Sequence, residues 1–339
     1  MIKRVIEDEL LQELKRLLFS SERIVITCHV SPDGDAIGSS LGLYHVLHKL
    51  GKQAHVVTPD LLPPSLTFLP GVKDIVVYTR QELFAKRLMA EADLIICLDF
   101  NSLYRIDRLA SSVENSKATK VLIDHHLGPE GFTDLIISHP EMSSTCELLY
   151  HAIYFMGMKR FISKWSAICI YTGMMTDTGN FTYNSNNPDL YLIVADLLRR
   201  GVDKDQIYNI AMNTFSADRL RLMGYAMSEK MKLFPEVGGA LIELNHDELV
   251  KYHYQRGDTE SLVNRPLSIP GIKWCIFLRD DVEYIKVSAR SVGDFAVNGY
   301  CERYFGGGGH KNAAGGEYRG ALEDARMLVY DIVESLKEE

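Results

Sequence analysis

The chain contains 339 residues, of which 46% are hydrophobic and 24% are charged, and its formal net charge at pH 7 is −8. At about 150 residues per domain, this length predicts two domains, each with its own core. No run of Lys and Arg exceeds two residues, which argues against binding of long nucleic acid, because that mode of binding neutralises many phosphates. A local site for a small anionic substrate stays open.

Neither a membrane segment nor a secretory leader is predicted. No apolar run approaches the ~18 residues that a membrane helix needs, and residues 2–19 mix charged with apolar side chains, which is typical of an amphipathic helix. Six cysteines are scattered along the chain without a CxxC pair: Cys28, Cys97, Cys146, Cys169, Cys275 and Cys301. We interpret them as reduced thiols, which indicates a cytoplasmic protein.

The first half of the chain alternates β-branched apolar runs with segments of helical period, which is typical of βαβ units and a mostly parallel sheet. The predicted strands are residues 23–27, 54–58, 74–78, 93–98, 120–123 and 135–138. The predicted helices are residues 36–50, 81–90, 144–156 and 163–175.

Beyond residue 188 the pattern changes. Residues 189–200 and 204–233 predict almost continuous helix, with little that could join a sheet. After this stretch, the predicted strands are 239–244, 273–279 and 284–291, and the predicted helices are 294–304 and 321–337. The expected organisation is an α/β domain with a mostly parallel sheet over residues 1–195, a helical linker over 196–225 and a smaller α+β domain over 226–339.

Carboxylates and imidazoles follow three of the predicted parallel strands and one helix. In open α/β sheets, ligands collect beyond the carboxyl ends of the strands. Each of these residues alone is more often a cap or a turn residue, but their convergence at one edge predicts a metal site. The residues are, in chain order, His29, Asp33, Asp35, Asp99, Asp124, His125, His126 and Asp177.

The charge of this set points to metal ions. Four carboxylates in one crevice, those of Asp33, Asp35, Asp99 and Asp177, repel one another unless protons or cations compensate. Two divalent ions balance them, and a mixed imidazole and carboxylate set suits Mn2+ better than Mg2+, with Mg2+ and other divalent ions as alternatives. A metal pair about 3.5–4 Å apart activates a bridging water and stabilises the leaving oxygen of a phosphoryl displacement. The sequence therefore predicts a phosphoester hydrolase.

The same residues occur in the order of the four motifs of the DHH phosphoesterases, which the chain resembles. Residues 288–291 (SARS) and 306–315 (GGGGHKNAAG) resemble the substrate-binding domain that usually follows that catalytic domain. The resemblance spans about residues 20–335 and shows no departure from the motifs. Within the family, the size and motifs are similar to bacterial enzymes that degrade very short oligoribonucleotides and dephosphorylate 3'-phosphoadenosine 5'-phosphate.

The resemblance implies a role for each motif residue. His126 would face the scissile phosphate, Asp124 would orient the histidine pair, and a hydroxide bridging two metal ions would attack the phosphorus. The implied ligands are His29 and Asp33 for one ion, Asp35, His125 and Asp177 for the other, and Asp99 as the bridge.

The glycine run at residues 306–309 is costly in ordered structure, so a flexible linker is its simplest interpretation. The polar residues and second glycine pair that follow favour instead a phosphate cradle of backbone N–H groups, with charge from His310 and Arg290. The predicted substrate-binding residues are Ser288, Arg290, Gly307, Gly308, Gly309 and His310. His139, shortly before Ser143, Ser144 and Thr145, stays ambiguous, because that segment could lie near the site.

The expected activity is hydrolysis of short oligoribonucleotides to mononucleotides and removal of the 3'-phosphate of 3'-phosphoadenosine 5'-phosphate. The smaller domain would bind a remote phosphate and so limit substrate length. The open alternatives are a phosphodiesterase for linear or cyclic dinucleotides, an exopolyphosphatase and, from a different class, a nucleotide sensor without turnover. Neither long nucleic acid nor a membrane is an expected partner. The oligomeric state, a homodimer included, and the polarity of trimming are not determined by the sequence.

Overall fold

The computed structural model describes residues 2–338, in which the chain divides into two compact units between Thr214 and Phe215. This boundary lies within the predicted linker. Residues 1 and 339, which end the two predicted domains, lie outside the described residues. Over residues 2–338, no helix has the length and apolar character needed to cross a membrane.

The first unit is built on a six-stranded sheet in which all paired strands are parallel, in the order β3-β2-β1-β4-β5-β6. The predicted strands all form, although the third is reduced to two residues. They are β1 (Arg23–Thr27), β2 (Gln53–Thr58), β3 (Val76–Val77), β4 (Leu94–Leu98), β5 (Thr119–Asp124) and β6 (Leu135–Ser138).

Helices cover both faces of this sheet, as the near-continuous apolar runs of its central strands require. Side chains of β1 and β4 alternate between two hydrophobic cores, with Ile24 and Ile96 in one and Val25 and Ile95 in the other. The helices are α1 (Asp8–Ser20), α2 (Gly34–Lys49), α3 (Glu82–Glu91), α4 (Ala110–Glu114), α5 (Thr145–Phe155), α6 (Lys164–Asp177), α7 (Pro188–Arg199) and α8 (Lys204–Met212).

The second unit contains a six-stranded mixed sheet in the order β11-β12-β10-β9-β8-β7, antiparallel except between β8 and β9. Its strands are β7 (Met231–Phe234), β8 (Gly239–Leu244), β9 (Trp274–Asp280), β10 (Ile285–Ser291), β11 (Gly308–His310) and β12 (Ala313–Tyr318). Its helices are α9 (Ala217–Glu229), α10 (His246–Lys251), α11 (Asn298–Phe305) and α12 (Leu322–Glu338). The α/β fold class with a smaller α+β second domain is therefore confirmed.

Short 3-10 turns connect several of these elements. They span Pro64–Leu66, Val72–Asp74, Leu103–Leu109, Lys159–Phe161, Pro235–Val237 and Leu262–Ser268.

The almost continuous helix predicted over residues 204–233 is interrupted between Met212 and Ala217, and its last residues form a strand instead. The chain leaves helical structure after Met212, and Ser216 caps a new helix by accepting a hydrogen bond from the backbone N–H of Arg219. Met231 then begins a strand that pairs with β8 opposite Ile242. Tertiary pairing overrides the local helical pattern there.

Candidate metal centre and phosphate-binding surface

All the predicted metal-site residues of the first unit lie at the carboxyl edge of its sheet or at adjoining helix ends. His29 follows β1, Asp99 follows β4, and Asp124 ends β5. Asp33 caps α2 by accepting hydrogen bonds from the backbone N–H groups of Asp35 and Ala36. The cap fixes where the first motif turns into the helix.

His29, Asp33 and Asp99 form one group of close ligand atoms. Each offers one ligand atom, and these atoms lie within 4.8 Å of one another. The Nε2 atom of His29 is 3.4 Å from Oδ2 of Asp99 and 3.7 Å from Oδ1 of Asp33. Its Nδ1 lies 2.7 Å from the carbonyl oxygen of Val30, an arrangement in which Nδ1–H donates and Nε2 faces the carboxylates.

Asp35, His125 and Asp177 form a second such group. Nε2 of His125 lies 3.4 Å from Oδ2 of Asp177 and 4.0 Å from Oδ2 of Asp35. The other ring nitrogen, Nδ1, lies 3.2 Å from the carbonyl oxygen of Met142. The histidine of each of these two groups is thus oriented by a backbone carbonyl, an arrangement that is common among metal-ligating imidazoles.

Asp99 lies between these two groups, and with His125 and His126 it forms a third group of ligand atoms within 4.8 Å of one another. Its Oδ2 faces His29, while its Oδ1 is 3.8 Å from Nε2 of His125 and 3.8 Å from Nδ1 of His126. The side chain is only 2% exposed, and the backbone has a φ of 64°, which is uncommon for a residue other than glycine. This strained position at the end of β4 aims one carboxylate at both groups.

Asp35 is held by the start of α5. Its carboxylate accepts hydrogen bonds from the backbone N–H groups of Thr145 (2.6 Å) and Cys146 (2.9 Å). The close approach depends on Gly173 of α6, where a Cβ atom would lie 2.3 Å from Sγ of Cys146 and 2.8 Å from Oδ1 of Asp35. The sequence did not predict these contacts of Thr145 and Cys146 with Asp35, although Ser144 and Glu147 mark this helix start.

The buried carboxylates of the ligand groups lie close enough together to shift one another's pKa. Burial and the charge of Asp99 raise the pKa of Asp35 and that of Asp177 well above the usual range of a carboxyl. Burial alone would raise the pKa of Asp99 too, but the hydrogen bond and charge of His29 lower it. Divalent cations relieve this repulsion, so the donor types, their spacing and their charge fit a metal centre.

His126 is oriented by a buried carboxylate. Its Nδ1 lies 2.7 Å from Oδ1 of Asp124, which is fully buried at the end of β5. Burial lowers the pKa of His126, but the hydrogen bond with Asp124 and the charge of Asp99 outweigh it and raise the pKa. His139 lies beside this strand end, where its ring is paired with Glu141 and its backbone N–H donates to the carbonyl oxygen of Asp124.

In the second unit, Arg290 and His310 lie in one row of the sheet. Both pair with Ala313, Arg290 from β10 and His310 from β11, and directly paired residues share a face. Ser288 lies in the next row with Gly308, and both pair with Gly315. Two cationic or potentially cationic side chains thus flank residues with little or no side chain.

The structure gives a different physical reason for the glycines at residues 306–309 than the predicted phosphate cradle. Residues 308–310 form a strand that the sequence did not predict, because a strand of glycines has no alternating side-chain pattern. A Cβ atom at Gly307 would lie 1.9 Å from the carbonyl oxygen of Gly315. The N–H of Gly307 donates to the carbonyl oxygen of Cys301. Gly307 therefore serves close backbone packing, and its N–H is already engaged.

Comparisons with known proteins agree with this architecture. Residues 23–174 match the DHH family, N-terminal domain, and residues 246–335 match the DHHA1 domain. The bifunctional oligoribonuclease and PAP phosphatase NrnA of Thermus thermophilus is 31% identical over 319 residues, covering 93% of this chain and 90% of that protein. The protein of that name from Bacillus subtilis is 26% identical over 318 residues, covering 93% of this chain and 96% of that protein.

A solved structure is closer still. An exopolyphosphatase-related protein from Bacteroides fragilis superimposes with a TM-score of 0.97 at 49% sequence identity, and the match covers 99% of both chains. The fold, the arrangement of the site and these similarities together identify the chain as a phosphoesterase. The chain belongs to the DHH family, with a DHH domain followed by a DHHA1 domain.

Proposed function

We propose that this chain is a metal-dependent phosphoesterase that hydrolyses short oligoribonucleotides to mononucleotides and removes the 3'-phosphate of 3'-phosphoadenosine 5'-phosphate. The observation that carries the proposal is the pair of ligand groups that meet at Asp99. The substrate class follows from the two NrnA relatives, which match over more than nine-tenths of the chain.

Two divalent ions, which we take to be Mn2+, suit these groups. His29, Asp33 and Asp99 would hold one ion, and Asp35, His125 and Asp177 the other, with Asp99 shared. Imidazole and carboxylate ligands together favour Mn2+ over Mg2+. When bound, such a pair would polarise the phosphoryl oxygens and activate the attacking water.

The protein groups beside the ligands would position the phosphate. Because Nδ1 of His126 faces Asp124, Nε2 is the ring nitrogen that would face a phosphate oxygen. When protonated, the His126 ring would donate from both nitrogens and offset phosphate charge. Asp124 keeps this orientation fixed and stabilises the charge of the ring.

The outer face of the second sheet would bind a phosphate remote from the reacting bond. Arg290 offers a guanidinium and His310 an imidazole on either side of Ala313, with Ser288 one row away. The small residues between them leave room for a phosphate to approach the sheet. Short substrates that carry a second phosphate would then be preferred over esters that carry one.

Exopolyphosphatase activity is the second candidate. It is favoured by the similarity to the exopolyphosphatase-related protein from Bacteroides fragilis, which is 49% identical to this chain. Polyphosphate also carries the repeated phosphates that a metal centre and an Arg–His surface can bind. A nucleotide sensor without turnover is disfavoured, because every residue of both ligand groups is in place.

The six buried cysteine thiols support a cytoplasmic location.

One substrate panel separates these functions. Purified protein with Mn2+ is assayed on RNA of two to twenty nucleotides, 3'-phosphoadenosine 5'-phosphate, cyclic dinucleotides and polyphosphate, with a chelator as the control. The proposal expects release of mononucleotides from the shortest RNAs and of phosphate from the bisphosphate nucleotide, both lost with chelator. Turnover of polyphosphate alone, or no turnover at all, would overturn it.

A further inference from the structure

Thr145, the first residue of α5, contacts carboxylates of both ligand groups. Its hydroxyl Oγ1 donates a hydrogen bond of 2.9 Å to Oδ1 of Asp99, and its backbone N–H donates to Oδ2 of Asp35. The residue is fully buried. No motif of the sequence analysis includes it, and none of the ligand groups contains it.

The hydroxyl acts on the orientation of Asp99. The terminal torsion of an aspartate side chain is broad, so the backbone alone does not fix which way the two oxygens point. With Oδ1 held by Thr145, Oδ2 is presented to His29 at 3.4 Å, while Oδ1 stays 3.8 Å from His125. Thr145 thereby keeps one carboxylate oxygen of Asp99 towards each of the two ligand groups.

The helix start adds a second, independent hold. The N–H groups of Thr145 and Cys146 bind Asp35 at the positive end of the α5 dipole. These backbone bonds survive any side-chain substitution at position 145 that preserves the helix. The hydroxyl can therefore be removed while the contact to Asp35 remains.

We propose that Thr145 is a positioning residue of the metal centre, whose hydroxyl sets the orientation in which Asp99 serves both ions. The inference rests on the proposed metal-dependent function but not on the identity of the substrate. It assigns Thr145 no contact with substrate or with the reacting atoms.

The test is Mn2+ binding by calorimetry to the metal-free full-length protein. Thr145→Val removes the hydroxyl at nearly constant shape, and Thr145→Ala removes it with a different packing change. Both variants should bind Mn2+ about ten- to a hundredfold more weakly than wild type, the range for lost partners of metal ligands. Thr145→Ser, which retains the hydroxyl, should restore the affinity to within about threefold of wild type.

Thr58→Val is the matched control. Thr58 is also fully buried, and its hydroxyl donates to the carbonyl oxygen of Asp60 rather than to a ligand group. Its Mn2+ affinity should equal that of wild type. Circular dichroism of each metal-free variant verifies that it is folded before the titration.

Three results would overturn the inference. The first is wild-type Mn2+ affinity in both Thr145→Val and Thr145→Ala. The second is a loss of affinity in Thr145→Ser as large as in those two variants, which would indicate a packing role. The third is a loss of the same size in Thr58→Val. Failure of the wild-type protein to cleave short RNA would overturn the proposed substrate and leave this binding result standing. The two failures are therefore distinguishable.

Discussion

Nδ1 of His126 lies 2.7 Å from Oδ1 of Asp124, and the carboxylate is fully buried at the end of β5. This pairing fixes the orientation of the His126 ring. It also separates the role of Asp124 from those of the ligand groups, which do not include it. Asp124 is therefore the residue at which the orientation of His126 can be perturbed without replacing a residue of the ligand groups.

Asp124→Asn should lower kcat on a short RNA by about ten- to a hundredfold while KM changes little, because the charge that holds and stabilises the His126 ring is lost. Steady-state kinetics at saturating Mn2+ measure this. Asp134→Asn is the control, since Asp134 accepts a hydrogen bond from the backbone N–H of Lys120 near the other end of β5. Unchanged kcat in Asp124→Asn would contradict the positioning role.

The crowded carboxylates predict that the metal-free protein is destabilised by its own site. Asp177→Asn replaces a carboxyl whose pKa is raised by burial and by the charge of Asp99, so the melting temperature of the variant in chelator should rise, by about 2–4 °C for each 1 kcal/mol gained. Its further rise with Mn2+ should be smaller than that of wild type. Asp205→Asn, at an exposed carboxylate paired with Lys204, should behave like wild type. An unchanged or lower melting temperature of Asp177→Asn in chelator would show that repulsion is not significant.

His151 predicts an acid-sensitive first unit. The side chain is 1% exposed on α5, neither ring nitrogen has a partner among the described residues, and burial lowers its pKa from 6.5 to about 4. The unfolded chain therefore binds a proton between these values that the folded chain does not. Stability should fall as the pH drops from about 6.5 towards 4, with this residue contributing about 2 kcal/mol of the loss by pH 5.

His151→Leu removes that titration and both unpartnered nitrogens. Denaturant unfolding at pH 7 and at pH 5 should show a loss in wild type that is larger than the loss in His151→Leu by about 2 kcal/mol. His48→Gln, at an exposed histidine, should keep the wild-type pH dependence. Parallel pH profiles for wild type and His151→Leu would refute the assignment.

Arg290 predicts a substrate-dependent effect. If Arg290 binds a remote phosphate, Arg290→Ala should lower kcat/KM for a two- to five-nucleotide RNA or for 3'-phosphoadenosine 5'-phosphate by roughly ten- to a hundredfold, because a charge-assisted contact is lost. A chromogenic phosphodiester carries no second phosphate, so its hydrolysis should change much less. Lys251→Ala, at an exposed cation of the same unit, is the control. Equal losses on both substrate types would mean that Arg290 does not bind a remote phosphate.

The sequence predicted the parallel sheet and the polar residues at its edge. Runs of β-branched residues identify the strands, and the end of each run shows which polar residues lie at the carboxyl end of the strand. It did not predict Thr145 as a contact of Asp99, because that contact depends on the approach of α5 to α2, which Gly173 permits. The strand at residues 308–310 was missed for another reason. Its glycines carry no side-chain period, and only pairing with β12 defines it.

The central claim is that the ligand groups meeting at Asp99 form a metal-dependent phosphoesterase centre. The most direct measurement is the Mn2+-dependent rate of cleavage of a ribodinucleotide by wild type and by Asp99→Ala, each verified as folded. The account predicts turnover in wild type that chelator abolishes, and a rate in Asp99→Ala below about one-hundredth of wild type, a barrier increase of at least ~2.7 kcal/mol. A rate in Asp99→Ala above about a tenth of wild type, or wild-type turnover that persists in chelator, would contradict it.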